Sequence, residues 1–249
     1  MKAFAAALGF LSRIPVPVSV FADSRARRHS VLYYPLVGAL LGTLLALLYA
    51  LLADFLPNLL LAAIILLAWV WLTGGLHLDG LADSADAWAG GIGDRKKTLA
   101  IMKDPTSGPA GVAALHLVLL LKFAALASLP EAPVVLFLAV FAGRLLLLPA
   151  LLTTAYVRAD GLGSGLAPTP WVGWLITLLA LPVLAILPPS LALSLLAGLL
   201  LVFWRWRSAC IKRLGGTTGD TLGALVEITE TSVLVLCVAL GPYLPQIRY

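Results

Sequence analysis

The sequence predicts an all-α, polytopic integral membrane protein, a bundle of about seven transmembrane helices with its N-terminus in the cytoplasm. Composition is the first observation behind this: 61% of the 249 residues are hydrophobic and 12% charged, where a soluble domain carries roughly 25% charge. Mean hydropathy is correspondingly high, at +1.02. Second, apolar runs approaching the roughly 20 residues that cross a bilayer recur along the chain. Third, lysine and arginine sort into alternate loops between those runs.

The chain reads as one membrane-embedded domain, residues 1–249. Its first 30 residues are basic. Met1 to Leu11 has the short apolar run of a secretory leader, but Arg13 and the Pro15-Val-Pro17 bend interrupt it. A helix lying at the cytoplasmic interface is the better reading. Seven spans follow, at about Val31 to Phe55, Leu59 to Thr73, Ala110 to Leu129, Val134 to Thr153, Trp171 to Leu187, Leu191 to Trp204 and Leu222 to Gly241. The second and sixth are the shortest. Breakers fill the gaps: Asp54 to Asn58, Pro130 to Pro133 and Pro188-Pro189. Gly38 and Gly42, four apart in the first span, permit close helix approach.

Of the 17 lysines and arginines, 14 fall on one side: Lys2, Arg13, Arg25, Arg27 and Arg28; Arg95, Lys96, Lys97 and Lys103; Arg158; Arg205, Arg207, Lys212 and Arg213. Arg248 alone falls on the other, while Lys122 and Arg144 lie within spans. Positive charge stays inside, so this side is cytoplasmic. The bias also accounts for the net charge of +5, and nucleic-acid binding is an unnecessary reading of it. Cys210 and Cys237 suggest packing, not a disulfide or thiolate site.

The chemistry concentrates in the inside loop of residues 74–109, about 35 residues long and of a kind usually functional. It opens GGLHLDGLADSADAW. On a helix from about Leu78 to Trp88, Asp79, Asp83 and Asp86 fall at i, i+4 and i+7, within roughly 60° of one another. Three anions on one stripe call for a cation among them. A glycine-rich turn at Gly90, Gly91 and Gly93 follows, then a second short helix capped by Asp94 and running through Met102. The segment 205–230 forms a second glycine and acid cluster. There Gly215-Gly216 with Asp220 and Glu227 echoes Gly74-Gly75 with Asp79 and Asp86. Both clusters open a helix on the inner side, so their carboxylates can converge.

Glu227 and Glu230 lie about two turns into the last span, where a carboxylate costs on the order of 2 to 3 kcal/mol and so faces a polar cavity or a partner. The expectation is that they line the site; pairing with Lys122 or Arg144 is the alternative. Oxygen-only ligands favour a hard divalent ion, and Mg²⁺ binds through one or two carboxylates plus substrate phosphates. Asp79, Asp83 and Asp86 are therefore its expected ligands. His77 beside them is open between phosphate contact, base, structural residue and, less favoured, zinc ligand. His116 reads as a hydrogen-bonded core residue. Arg95, Lys103 and their basic neighbours suit phosphate oxygens. So do Gly215, Gly216, Thr217, Thr218, Gly219 and Thr221 at a helix start. Together these features point to phosphoryl transfer on a substrate with a bulky or lipid-like part.

The strings FLSRIPVP (Phe10 to Pro17), YPLVG (Tyr34 to Gly38), GGLHLDGLADSAD (Gly74 to Asp86), IMKD (Ile101 to Asp104) and GGTTGDTLG (Gly215 to Gly223) with Glu227 resemble the cobalamin-5′-phosphate synthase family nearly end to end. Two departures stand out: Ala87 where a glycine is expected, and Thr106 where an arginine is usual, so that a phosphate contact there falls to Arg95 or a neighbouring lysine. The resemblance implies the last assembly step of cobalamin biosynthesis. In that Mg²⁺-requiring step, α-ribazole or its 5′-phosphate attacks the diphosphate of adenosylcobinamide-GDP, giving adenosylcobalamin or its 5′-phosphate and GMP. It implies a multi-pass protein of the cell inner membrane with its site on the cytoplasmic side. The metal ligands it implies are Asp79, Asp83 and Asp86. Asp104, Asp220 and Glu227 stand unranked as acceptors of the attacking hydroxyl's proton.

Beyond the two substrates and the bilayer, a second copy of the chain or other cobalamin-pathway enzymes are expected partners. A CDP-alcohol phosphotransferase is the alternative enzyme, but its D-x2-D-G-x2-A-R-x8-G-x3-D-x3-D motif is absent. A prenyl transferase lacks its acidic motifs here. An ion-coupled transporter would place acids at mid-membrane rather than at one face.

Overall fold

The computed structural model describes residues 1–129, 132–158, 166 and 169–240. Among these the chain forms α1 (Lys2–Leu11), α2 (Ser19–Ala22), α3 (Ser24–Ser30), α4 (Tyr34–Leu52), α5 (Asn58–Thr73), α6 (Leu76–Gly90), α7 (Arg95–Ile101), α8 (Pro109–Ser128), α9 (Ala132–Leu145), α10 (Leu147–Thr153), α11 (Pro170–Ala180), α12 (Pro189–Leu214) and α13 (Gly219–Leu240). Short 3₁₀ turns at Val31–Tyr33 and Leu181–Ile186 join α3 to α4 and extend α11. Arg248, Gly241 and Pro130, which figured in the span assignment, lie outside the described residues.

All seven apolar segments are helical. Among the described residues, five stretches are long and apolar enough to cross a membrane: Ser24–Leu52, Pro109–Ser128, Ala132–Thr153, Pro189–Leu214 and Gly219–Leu240. A sixth arises if α5 and α6, bent by 87° at their junction, count as one broken span. The expected seven thus becomes five to six, for two physical reasons. The 16 residues of α5 reach about 24 Å, short of a hydrocarbon core of about 30 Å. The fifth apolar segment spans only Pro170–Ile186 and tightens into 3₁₀ geometry at Leu181, ahead of Pro182. The sixth segment errs the other way. Arg205, Arg207, Lys212 and Arg213 lower hydropathy without ending a helix, so α12 runs on for 26 residues.

The pair α9–α10 and α13 form the centre, 78% and 67% buried over their most apolar windows, whereas α8 and α12 are 22% and 17% buried and face outward. Gly38 and Gly42 let α4 lie against α9: a methyl on Gly38 would sit 3.0 Å from Arg144 Cβ, and one on Gly42 2.9 Å from the Phe137 carbonyl oxygen. The N-terminal helix does not lie free. Ala6, Ala7 and Leu11 are buried, and Phe10 stacks on Tyr34 with ring centres 6.1 Å apart.

Candidate active site

Two glycine pairs build the site. Gly74 ends α5 with φ +69° and Gly75 continues at φ +73°, which turns the chain through its right-angle bend. Thus α6 departs from the direction of α5 at nearly a right angle and packs on α13 and α8. Gly215 ends α12 in the same way, at φ +72°. Gly216 then passes so close to residue 155 that a methyl there would lie 2.2 Å from the Ala155 carbonyl oxygen. The approach lets Thr217 N–H donate to Ala155 O (2.8 Å) and Val157 N–H to Thr217 O (2.9 Å).

The two acidic helices meet at glycine. A methyl on Gly80 would stand 2.7 Å from the Asp220 carbonyl oxygen, and one on Gly223 would stand 3.3 Å from the His77 Cα and carbonyl oxygen. Backbone therefore touches backbone, and Asp79 and Asp220, each in the first turn of its helix, come to one place. They line a cavity of about 290 Å³ together with His77, Arg158, Phe10, Tyr34 and Tyr156. Segments from all four loops assigned to the inside (residues 1–30, 74–109, 154–170 and 205–221) contribute to it.

Arg158 was counted in the sequence only as an inside-loop charge. Its NH1 holds Asp220 Oδ2 at 2.9 Å, while its Nε and NH2 are buried and, among the described residues, without a hydrogen-bond partner. The guanidinium is thus fixed beside the Asp220 carboxylate and brings positive charge to the cavity. Asp83, one turn beyond Asp79, is half-buried. Burial, then the Asp79 and Asp220 carboxylates, push its carboxyl up to about 6.

Asp86 is engaged differently. Its Oδ2 accepts Gly108 N–H at 2.7 Å and its Oδ1 accepts Gly111 N–H at 2.9 Å, capping the start of α8. Asp104 is exposed and does not line the cavity. Its Oδ1 accepts both the Thr106 N–H and hydroxyl, which hold its carboxyl below the usual range. Lys103 is also exposed. Exposed Arg95 brings its guanidinium to Gly215, 3.6 Å from where a methyl would sit. The threonines are spent on the start of α13. Thr218 N–H donates to Thr221 Oγ1 (2.8 Å), Thr221 N–H returns a bond to Thr218 Oγ1 (3.2 Å), and Thr217 and Thr221 hydroxyls pair at 2.8 Å. All three are buried, and the residues of this cluster that line the cavity are Gly219, Asp220, Leu222 and Gly223.

Glu227 and Glu230 do not line the cavity; they pair with the two bases in the spans. Lys122 Nζ contacts Glu227 Oε2 at 2.7 Å and also Glu230 Oε2, while Arg144 NH1 donates to Glu230 Oε1. Lys122 further sits 4.4 Å over the Trp69 ring. Two positive and two negative charges cancel inside the bundle, which satisfies the cost of burying each. Arg144 NH2 then reaches His77 Nδ1 at 3.3 Å. Burial, Arg144 and Lys122 keep the His77 ring well below the usual histidine range and therefore neutral. His116, expected in the core, is exposed on α8 and hydrogen-bonded to Val112 O at 2.7 Å.

Among the described residues, no three histidine, cysteine or acidic side chains close into a protein-only metal cage. Mg²⁺ does not need one, since substrate phosphates complete its shell. Asp79, Asp83 and Asp220 supply hard oxygen donors whose mutual repulsion, expressed in the raised Asp83 carboxyl, a cation would relieve. The donor set fits the ion.

Residues 3–238 match the family model described as cobalamin-5-phosphate synthase. The chain is 50% identical over 243 residues to the adenosylcobinamide-GDP ribazoletransferase of Pseudomonas paraeruginosa, covering 94% of this chain and 97% of that one. It is 52% identical over 241 residues to that of Pseudomonas fluorescens (94% and 98%) and 50% identical over 239 residues to that of Ectopseudomonas mendocina (92% and 95%). No solved structure matches.

Proposed function

The chain belongs to the cobalamin-5-phosphate synthase family, and from that premise we propose that it joins adenosylcobinamide-GDP to α-ribazole or α-ribazole 5′-phosphate, releasing GMP. A ribose hydroxyl attacks the phosphorus attached to cobinamide. The new P–O bond forms as the bond to GMP breaks, leaving a phosphodiester and one proton. The observation that carries this reading is the convergence of Asp79, His77, Arg158 and Asp220 on one cavity.

The cavity's size decides which substrate enters it. About 290 Å³ is at the small end of ligand pockets, which run from about 300 to 1,000 Å³. A nucleoside fits; a corrinoid does not. The aromatic and aliphatic wall of Phe10, Tyr34, Leu147 and Leu151 suits the benzimidazole base, and the polar end suits the ribose and the reacting phosphate. Arg158, held at the cavity by Asp220, brings positive charge to phosphate oxygens there. Of the residues considered as base, Asp104 lies outside the cavity, Glu227 is held by Lys122 and His77 Nδ1 is held by Arg144, which leaves Asp220 as the carboxylate at the reacting end, held on one side by Arg158. Asp79, Asp83 and Asp220 would hold Mg²⁺, which when bound offsets the diphosphate charge and eases departure of GMP.

The basic residues gathered at this end support a cytoplasmic site in the inner membrane. Membranes carrying the protein, given both substrates and Mg²⁺, should yield GMP and the joined corrinoid in equal amounts. Formation of neither would contradict the assignment.

A further inference from the structure

Arg158 stands on a segment that is held at two places. On one side, residues 155–157 lie along Thr217, which donates its N–H to Ala155 O and accepts the Val157 N–H. On the other, the chain leaves α10 at Thr154, where the backbone turns extended with φ −138° and ψ 126°. A helix ending there leaves carbonyls without intrahelical partners. Arg207 of α12 meets them. Its NH2 donates to Thr153 O at 2.6 Å and its Nε to Thr153 Oγ1 at 3.0 Å, while the Thr153 hydroxyl donates to Pro149 O at 2.8 Å.

Two bonds from one planar guanidinium to one residue fix direction as well as distance, which a lysine ammonium does not do. Room to shift is slight: the space lined by Arg207, Thr154 and Thr217 holds about 10 Å³, enough for one water at most. The preceding residue grips the other partner. Trp206 Nε1 donates to the carbonyl of Thr221, next in sequence to Asp220, at 2.8 Å. Adjacent residues of α12 thus secure the two chain segments whose side chains, Arg158 and Asp220, meet at 2.9 Å. Arg207 itself is not among the residues that line the substrate cavity. We propose that Arg207 is a positioning residue: by fixing Thr153 it holds residues 154–157 in place, and so keeps the Arg158 guanidinium on Asp220 at the reacting end of the cavity. The proposal rests on the phosphoryl-transfer reading.

A double-mutant cycle separates this role from a merely structural one. Arg207→Gln should lower kcat for GMP release about 10- to 100-fold, the loss expected when a catalytic group is displaced, with KM for α-ribazole unchanged within about twofold. Arg158→Gln should lose roughly 100-fold or more. Because Arg207 acts through Arg158, the double variant should be no slower than Arg158→Gln alone. Losses that multiply, or a raised KM at unchanged kcat, would overturn the proposal. Thr153→Val removes only the hydroxyl that accepts from Arg207 Nε; it should lose about threefold to tenfold by itself and nothing further beside Arg158→Gln. Should Arg207→Gln not fold, this variant decides in the same cycle. A second readout needs no substrate. In lipid nanodiscs the Val157 and Thr217 amides should exchange hydrogen about tenfold faster or more in Arg207→Gln than in the parent, with α5 unchanged. Equal protection of those two amides in variant and parent would also overturn it. If the parent released no GMP but Arg207→Gln loosened these amides, the activity assignment would fail while the hold of Arg207 on the Arg158 segment stood.

Discussion

Asp83 and Asp86 stand three positions apart on α6, yet the surroundings of the two carboxyls differ in kind. Asp83 faces other carboxylates, whereas Asp86 accepts two N–H groups from the start of α8. Asp83→Asn should lower Mg²⁺-dependent GMP release by on the order of 100-fold or more while membrane insertion is unchanged. Asp86→Ala should instead cost about 1–2 kcal/mol of stability, seen in thermal melts, with the Mg²⁺ requirement of the folded enzyme retained. Acid should act through Asp83. With its carboxyl near pH 6 in the metal-free protein, protonation competes with Mg²⁺ below that value, so the Mg²⁺ concentration for half-maximal rate should rise between pH 7 and pH 5.5 and excess Mg²⁺ should restore the rate. The sign for folding is opposite. A carboxyl raised above its unfolded value favours the folded state as pH falls through 6, so lost activity there would not report unfolding.

At the scale of elements, the glycines on α6 and before it do two separate jobs. Gly80→Ala puts a methyl 2.7 Å from the Asp220 carbonyl oxygen, where no side chain can swing away, so α6 and α13 must part. It should reduce both turnover and melting temperature strongly. Gly75→Ala meets nothing within 4 Å and is strained only by φ +73°, at a cost of about 1–2 kcal/mol, and should melt lower with turnover largely kept. Much of this was legible in sequence because its signals are local. Asp94 accepts Lys97 N–H at 3.0 Å as the cap of α7, and α6 runs from Leu76 to Gly90 where a helix from about Leu78 to Trp88 was expected. The length of α12 was hidden because charge marks a hydropathy boundary, not a helix end. Arg158 gave no signal: it is one arginine in a polar stretch, and what makes it functional is the pairing of residues 155–157 with Thr217. The partners of Glu227 and Glu230 are a third case. Their contacts span more than eighty residues, and the available clue was arithmetic, two acids and two bases in spans that otherwise hold none.

For the whole molecule, the two glycine and acid clusters meet at one cavity, lined also by Phe10 and Arg158 from two further inside segments. The orientation is open to direct labelling. Cys210 and Cys237 are buried, so a Lys103→Cys variant should react with a membrane-impermeant maleimide in inside-out vesicles and not in intact cells; labelling in intact cells would reverse the topology. The central claim, though, is that the acids of α6 and of α13 form one metal site. Binding of Mn²⁺ in place of Mg²⁺, followed by electron paramagnetic resonance in the presence of adenosylcobinamide-GDP, tests it most directly. One Mn²⁺ per chain should bind to the parent, and both Asp79→Asn and Asp220→Asn should weaken that binding. Undiminished Mn²⁺ binding by Asp220→Asn beside its loss in Asp79→Asn would show that the two clusters do not share an ion, and would contradict the account.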